Sequence, residues 1–262
     1  DLAVCSNTTV NLFEAIIGNP GTNGTWTVPS GGAPLNGNIF DPSVNIAGEY
    51  VYTFTKDCNS SLSTIPVTVT VSIQQIGNPG TNNAVSTCTN QAPFDLFPLL
   101  GPGAEVGGVW SPILASGTGI FNPAVDMSGV YTYTIPANGA CLSVSANITV
   151  TNNTIPTITP ISDFELCDDD VIGTDTDGFS FFDLTVKNDE ISNSQSGVLV
   201  TYHMTPIDAI NNSNAISSIN SDNRIIYTRI TNSTTGCYNT SSFNLVVNAK
   251  PIVNAVVNLR QC

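Results

Sequence analysis

The feature that most constrains this chain is a cysteine spacing that occurs twice. Cys5 and Cys58 are 53 positions apart, and so are Cys88 and Cys141. The same short motifs lie between the two cysteines of each pair, in the same order. They are Gly-x-Trp, Phe-x-Pro and Gly-x-Tyr-x-Tyr, at residues 24–26, 40–42 and 48–52 and again at residues 108–110, 121–123 and 129–133. A chain that repeats its motifs at this scale is an array of similar domains.

A third, more divergent unit follows these two. Cys167 and Cys237 are 70 positions apart, Tyr202 stands roughly where the tryptophan was, and residues 225–229 replace the Tyr-x-Tyr strand. The linkers are polar or contain proline. We therefore predict repeat 1 at residues 1–73, repeat 2 at 74–152, a divergent repeat 3 with an acidic insert at 153–249, and the start of a fourth repeat at 250–262, with Cys262 as its first cysteine.

The side-chain pattern predicts β-strands almost throughout. Residues 67–71 and 147–151 alternate between β-branched and polar side chains, as half-buried strands do, and no long segment has a helical period. Residues 45–50 and 126–131 resemble the tyrosine corner of immunoglobulin-like domains. The predicted fold is all-β: tandem immunoglobulin-like β-sandwich repeats, each with one intradomain disulfide. Another antiparallel β architecture, such as a propeller, is the alternative. The predicted core residues are Trp26, Trp110, Tyr50 and Tyr131.

The equal cysteine spacings favour bridges that close within each repeat. We expect three such disulfides, in the oxidising conditions outside a cell. They are Cys5–Cys58, Cys88–Cys141 and Cys167–Cys237. Cys262 is then left unpaired in this sequence.

Charge excludes several classes of partner. Six basic residues face twenty acidic ones, for a formal net charge of −14. Such a chain repels the phosphates of nucleic acids and the surfaces of anionic membranes. No apolar run approaches the length of a membrane span. We expect neither nucleic-acid binding nor direct membrane insertion.

An acidic segment in repeat 3 is the one candidate ligand site. Five aspartates lie within residues 168–177, without a lysine or arginine among them. Hard oxygen ligands concentrated in one loop are what calcium needs, although the spacing of an EF-hand is absent. The candidate calcium ligands are Asp168, Asp170, Asp175 and Asp177. The alternative is a solvated acidic turn without an ion. No other cofactor is expected.

Nothing in the sequence predicts an enzyme. The single histidine, His203, is not accompanied by a Gly-x-Ser-x-Gly motif, and a strand histidine is usually structural. There is no Cys-x-x-Cys motif for zinc or redox chemistry. We predict a non-catalytic chain.

These motifs resemble the repeat regions of very large, SprB-like surface adhesins of gliding bacteria, which the type IX secretion system exports. The resemblance rests on the motif series of repeats 1 and 2. It also rests on Leu-Cys-Asp-Asp-Asp at residues 166–170 and on Thr-Gly-Cys-Tyr-Asn-Thr at residues 235–240 of repeat 3. It covers nearly the whole chain and implies exposure on the cell surface, attachment and gliding motility.

The predicted function is that of a stalk or adhesive segment of a giant extracellular adhesin. Its expected partners are neighbouring repeats, an external surface or polysaccharide, and the outer-membrane secretion and motility machinery through other parts of the chain. The alternative is a carbohydrate-binding or spacer module of a secreted multidomain enzyme. A full-length sequence with dozens of repeats favours the adhesin, whereas one or two repeats beside a catalytic domain favour the module.

Overall fold

The computed structural model describes residues 1–58, 61–171, 173–174 and 176–250. The predicted fourth repeat, including Cys262, lies almost entirely outside these residues. The chain divides into two compact units: residues 1–85 with 92–151, and residues 86–91 with 152–262. Three separate hydrophobic clusters form the cores, one for each predicted repeat.

Repeat 1 consists of two β-layers. Its strands are β1 (Leu2–Cys5), β2 (Val10–Asn11), β3 (Thr25–Thr27), β4 (Ile39–Phe40), β5 (Gly48–Cys58) and β6 (Ser61–Gln74), with a 3₁₀ turn at Leu12–Ala15. One layer has the strand order β1-β6-β5-β3, and β2 pairs with β4 in the other. The first strand runs parallel to β6, and the other pairs are antiparallel. Alternate side chains of β5 and β6 face the core because the side-chain period of a strand is two residues.

Repeat 2 has the same arrangement. Its strands are β7 (Asn83–Cys88), β8 (Phe94–Asp95), β9 (Val109–Ser111), β10 (Ile120–Phe121), β11 (Gly129–Ile135) and β12 (Val144–Asn153), with a 3₁₀ turn at Phe97–Leu100. The sheet orders are β7-β12-β11-β9 and β10-β8, so each strand of repeat 1 has a counterpart here.

Repeat 3 keeps this strand order and adds two short helices. Its elements are β13 (Phe164–Cys167), β14 (Ser180–Asp183), a 3₁₀ turn (Leu184–Lys187), α1 (Asn188–Ser192), β15 (Val198–His203), α2 (Pro206–Asn211), β16 (Ser218–Ser221), β17 (Arg224–Asn232) and β18 (Tyr238–Asn248). The sheet orders are β13-β18-β17-β15 and β14-β16. Helix α2 begins with Pro206 in its first turn, and the Thr205 side chain accepts a hydrogen bond from the Asp208 amide as its N-cap.

Both predicted tyrosine corners are present. The Tyr50 hydroxyl donates to the carbonyl of Ile46, and the Tyr131 hydroxyl donates to the carbonyl of Met127, at 2.8 Å in each case. In both repeats the tyrosine lies near the start of the strand that precedes the last one, where immunoglobulin-like domains carry it. The strand order, the two layers and these corners confirm the prediction of tandem immunoglobulin-like β-sandwich repeats. The predicted disulfide pairing within each repeat is wrong.

Candidate functional site

Two disulfides join cysteines of consecutive repeats. Cys5 bonds with Cys141, and Cys88 bonds with Cys237, with Cα–Cα distances of 4.8 and 5.7 Å. In each bridge, one cysteine ends the first strand of a repeat. The other lies in, or at the end of, the connection between the last two strands of the next repeat. The bridges therefore cross the boundaries between repeats rather than closing them individually.

The lengths of the strands explain why the predicted Cys5–Cys58 bridge is wrong. Cys5 pairs with Gln74 at one end of β6, and Cys58 pairs with Ser61 at the other end. Since β6 has 14 residues, these ends are about 40 Å apart at ~3.3 Å per residue. The Cα atoms of a disulfide lie within about 7 Å of each other.

The same geometry excludes the other two predicted bridges. The amide of Thr89, next to Cys88, donates to the Asn153 carbonyl at the end of β12, whereas Cys141 precedes the start of that strand. Cys167 pairs with Asn248 at the end of β18, whereas Cys237 precedes its start. The cysteines of each repeat thus lie at opposite ends of a sheet, and in both bridges the bonded partner belongs to a neighbouring repeat.

Hydrogen bonds between repeat 1 and the start of repeat 2 lie beside the Cys5–Cys141 bridge. Both cysteines are buried. The Gln74 side chain accepts a hydrogen bond from the Ala140 amide at 2.6 Å, and the Ser6 hydroxyl accepts one from the Ile76 amide at 3.0 Å. Burial limits the access of thiolates, which break disulfides by direct attack on sulfur. The bridge is therefore part of a packed junction.

Cys167 is the counterpart of the two bonded first-strand cysteines. It ends β13 in register with Asn248, as Cys5 ends β1 in register with Gln74. The residue that follows each of these cysteines donates its amide to the partner carbonyl: Ser6 to Gln74, and Asp168 to Asn248. Cys167 itself is exposed, and its thiol is not bonded to any cysteine of the described residues.

The acidic segment is built from local turns. Asp168 is buried, and its Oδ2 accepts a hydrogen bond from the Gly178 amide at 2.7 Å, while its Oδ1 has no partner within the described residues. The carboxylate of Asp177 accepts from the amides of Thr174 and Phe179. Asp170 is exposed, and Asp175 lies outside the described residues. Within the described part of the chain, no three acidic, histidine or cysteine side chains converge as a metal site.

His203 is buried in repeat 3, beside Thr201 and Ser213. Its ring is buried, with Nδ1 2.7 Å from the Ser213 carbonyl and Nε2 2.9 Å from the Thr201 hydroxyl. Both ring nitrogens thus have partners in the protein, which is what a structural histidine requires. This arrangement holds the ring in place and leaves neither nitrogen available to a substrate.

The predicted core aromatics lie in the two sandwich interiors. Tyr50 and Tyr131 are buried, whereas Trp26 and Trp110 are half-buried and pack against the clusters. Each tryptophan contacts the second tyrosine of its repeat, Tyr52 or Tyr133, with ring centroids 5.0 and 5.1 Å apart.

Sequence reasoning missed the pairing of the cysteines and the buried charges of repeat 3. Connectivity cannot be deduced from spacing alone. A usable signal was present, because a long alternating strand separates the two cysteine positions of each repeat. No sequence pattern pointed to the burial of Lys187 or Arg229, because each is a single basic residue in a mixed polar and apolar segment.

A search for membrane spans found no helix in the described part of the chain that is long and apolar enough to cross a bilayer. No curated protein matches the sequence. Residues 163–251, which include most of repeat 3, match the family model described as the Flavobacterium inter-domain disulphide bond domain. Cys237, which lies within these residues, forms the bridge to Cys88 of repeat 2.

The solved structures that match this chain are distant from it in both sequence and structure. Immunoglobulin domains 1–4 of Sidekick-1 are 12% identical over 86% of this chain and 67% of that one, with a TM-score of 0.26. The four N-terminal immunoglobulin domains of Dscam1 isoform 6.9 are 10% identical over 94% and 71%, also with a TM-score of 0.26. The cadherin-like domains 1–4 of zebrafish RET are 7% identical over 86% and 66%, with a TM-score of 0.24. The fold assignment therefore rests on strand order and register, and the family match is confined to the third repeat.

Proposed function

We propose that this chain is a non-catalytic stalk segment of a large extracellular adhesin, in which successive sandwich repeats are covalently cross-linked. The observation that supports this most strongly is that both disulfides join a first-strand cysteine of one repeat to a cysteine of the next. Disulfides persist in oxidising compartments, which favours an extracellular location. A cross-link between repeats serves a protein that bears load along its length.

The bridges overlap along the chain, and this overlap limits how far the array can be stretched. The first bridge spans 136 positions and the second 149, and the second begins at Cys88, inside the first. A pulling force that enters at one end therefore follows a short covalent path through both bridges. At ~3.5 Å per residue, that path is about 300 Å long when fully extended, against about 900 Å for the reduced chain.

Single-molecule force spectroscopy on the whole chain tests this proposal. The oxidised chain should reach its limiting extension at about a third of the length that the reduced chain reaches, by the same estimate of residue length. The double variant Cys5→Ser, Cys88→Ser should behave like the reduced chain with or without reductant. An oxidised chain that extends as far as the reduced one would overturn the proposal, because the bridges would then bear no load.

Cys167 extends the series beyond the described repeats. Its two counterparts, Cys5 and Cys88, are both bonded, whereas Cys167 is exposed and has no disulfide partner in the part of the chain that the structure describes. We propose that it bonds with the corresponding cysteine of a following repeat. Two thiols and one small-molecule disulfide, such as oxidised glutathione, give one protein disulfide and two reduced glutathiones.

The finer assignment is to a gliding-motility adhesin of the SprB-like type, exported by the type IX system and displayed on the cell surface. The family description of repeat 3 names Flavobacterium and inter-domain disulphide bonds, which supports this assignment. The proposed partners are neighbouring repeats, an external surface or polysaccharide, and the secretion and motility machinery reached through other parts of the protein.

Antibodies raised against this segment test the finer assignment on living cells. They should label intact cells and slow gliding, and Fab fragments should act equally so that cross-linking is excluded as the cause. Labelling only after lysis would contradict surface display. Labelling without any effect on gliding would leave a surface stalk but remove the motility role.

A further inference from the structure

Repeat 2 contains a cavity beside Trp110 that the stalk role does not require. Its volume is about 440 Å³, and it is lined by Asp95, Phe97, Trp110, Leu114, Thr118 and Gly119, among others. This volume lies within the range of small-molecule sites, which combine apolar walls with a few polar groups. The half-buried indole provides the wall, and Asp95 provides the charge.

In repeat 1, the equivalent groups are hydrogen-bonded to side chains of the same repeat. The Trp26 Nε1–H donates to the Asn38 Oδ1 at 2.9 Å. The side chain of Asn11 donates to Glu14 at 2.8 Å. The indole and the neighbouring amide of repeat 1 therefore have their hydrogen-bond partners within the protein.

Repeat 2 lacks these partners because it differs from repeat 1 at three equivalent positions. Gly119 replaces Asn38, as the equivalent hydrogen bonds from Leu12 to the Asn38 carbonyl and from Leu96 to the Gly119 carbonyl establish. The motif alignment also places Asp95 at the position of Asn11 and Pro98 at that of Glu14. Within the described residues, neither Trp110 Nε1 nor the second carboxylate oxygen of Asp95 has a hydrogen-bond partner, while the first accepts from the Phe97 amide at 2.9 Å.

The missing side chain at Gly119 is what opens the cavity toward both groups. A Cβ atom built there would lie 2.8 Å from Trp110 Nε1 and 3.2 Å from Asp95 Oδ1. Any side chain at this position would therefore occupy the space between the donor and the acceptor. With glycine present, the space beside the indole N–H and the Asp95 Oδ1 stays open, and this oxygen has a second lone pair besides the one that accepts from the Phe97 amide.

We propose that this cavity binds a neutral carbohydrate. A sugar ring presents an apolar face that packs on an aromatic ring, and hydroxyls that both donate and accept. The indole N–H can only donate and the carboxylate can only accept, so a single hydroxyl-bearing ligand satisfies both. No lysine or arginine occurs between Lys56 and Lys187 to pair with a sulfated or carboxylated sugar, and Asp95 repels one.

Tryptophan fluorescence of the whole chain tests the proposal directly. The chain has two tryptophans, so Trp26→Phe leaves Trp110 as the only indole reporter. The probes are short neutral oligosaccharides of glucose, galactose, mannose and xylose. At least one should change the emission saturably, with a dissociation constant of about 1 mM or below. If none does so, the proposal is overturned.

Two variants in the same background separate the site from other surfaces. Asp95→Asn keeps the acceptor for the Phe97 amide, as Asn11 does in repeat 1, but loses the charge, so binding should weaken about tenfold. Gly119→Asn restores the closing residue of repeat 1 and should abolish binding. The control Glu49→Gln removes an exposed charge from repeat 1 and should change nothing.

Because repeat 1 accommodates asparagine at both equivalent positions, both variants are expected to fold, and unchanged melting temperatures check this. Undiminished binding in the two variants would overturn the proposal. So would a response limited to acidic polysaccharides or to peptides.

Discussion

Repeats 1 and 2 differ from repeat 3 in the core, although all three share one strand order. The register places Tyr50 and Ile226 at equivalent core positions, because they pair with Val69 and Phe243 in the last strands. By the same register, Tyr202 takes the place of Trp26, and its partner Thr228 takes the place of Tyr52. The tryptophan–tyrosine pair and the tyrosine corner are thus both absent from repeat 3.

Buried polar groups support repeat 3 instead. The Lys187 ammonium contacts the Ser162 carbonyl and hydroxyl and the Glu190 carboxylate at 2.8–2.9 Å. The Arg229 guanidinium donates to the carbonyls of Ala209 and Ile210 at the end of α2, where the helix dipole favours a cation. Desolvation raises the pKa of the Tyr202 hydroxyl, which donates to the Asn188 side chain.

The three repeats have in common the position of the first-strand cysteine rather than the composition of the core. The cores of the repeats change their chemistry, whereas the first-strand cysteine keeps its register at the end of the sheet. A sandwich core tolerates such substitution if volume and pattern are maintained. A disulfide does not tolerate displacement, because its Cα atoms must lie within about 7 Å of each other. The position of the cysteine is therefore more tightly constrained than the composition of the core.

The largest expected effect tests whether the two bridges are equivalent despite the different cores. Cys141→Ser and Cys237→Ser should each lower the free energy of unfolding by about 5 kcal/mol, because the loops of 136 and 149 residues have nearly equal closure entropies. Urea unfolding of the whole chain measures both. Unequal losses would show that the core of a repeat, rather than the closed loop, sets the contribution of a bridge.

Removing a buried hydroxyl should lower the stability of repeat 2 but should not lower that of repeat 3. The Tyr133 hydroxyl accepts from the Gly108 amide and donates to the Glu105 carbonyl, both at 2.8 Å. Tyr133→Phe removes both bonds and should destabilise repeat 2 by about 2 kcal/mol.

The equivalent residue of repeat 3 is the matched control. The buried hydroxyl of Thr228 has no hydrogen-bond partner within the described residues. Thr228→Val removes that unsatisfied group and should be neutral or stabilise by up to about 1 kcal/mol. Thermal unfolding measures both variants, and a loss of stability in Thr228→Val would contradict the comparison.

Acid should weaken repeat 3 through Glu190. Hydrogen bonds from the Ser162 amide and the Lys187 ammonium lower the pKa of this carboxyl from 4.5 to about 2. The stabilisation is therefore complete above about pH 4.5 and is lost as the pH falls toward 2. Because about a third of the side chain is exposed, we expect a contribution below about 1 kcal/mol. Glu190→Gln should remove this part of the pH dependence of unfolding between those two values. An unchanged profile would contradict the assignment.

The sequence predicted the parts of this fold that depend on local pattern. The alternation of residues 67–71 predicted the last strand, and residues 45–50 and 126–131 predicted the tyrosine corners, because each is encoded within a few residues. The disulfide pairing depends on which ends of two sheets lie together, and the spacing of cysteines in the sequence carries no information about that. The cavity of repeat 2 depends on Gly119, and the sequence does not show that this glycine lies against Trp110 in the folded repeat.

The smallest expected effect concerns calcium at the acidic segment, which only repeat 3 carries. Of the four proposed ligands, Asp168 is the one with a buried oxygen, Oδ1, that lacks a partner within the described residues. Calcium at a concentration equal to its dissociation constant would stabilise the folded chain by about 0.4 kcal/mol. Asp168→Asn keeps an acceptor for the Gly178 amide but removes the charge, so the stabilisation should vanish.

Differential scanning calorimetry with increasing calcium measures this effect in the whole chain, with magnesium as the control ion. Calcium takes six to eight oxygens in flexible geometry, whereas magnesium demands a near-ideal octahedron and retains its waters. A site in a loop should therefore respond to calcium and not to magnesium. An equal rise with both ions, or with Asp168→Asn, would indicate screening of the net charge of −14 rather than a bound ion. The acidic segment would then be a solvated turn, and calcium would not distinguish repeat 3 from the other two.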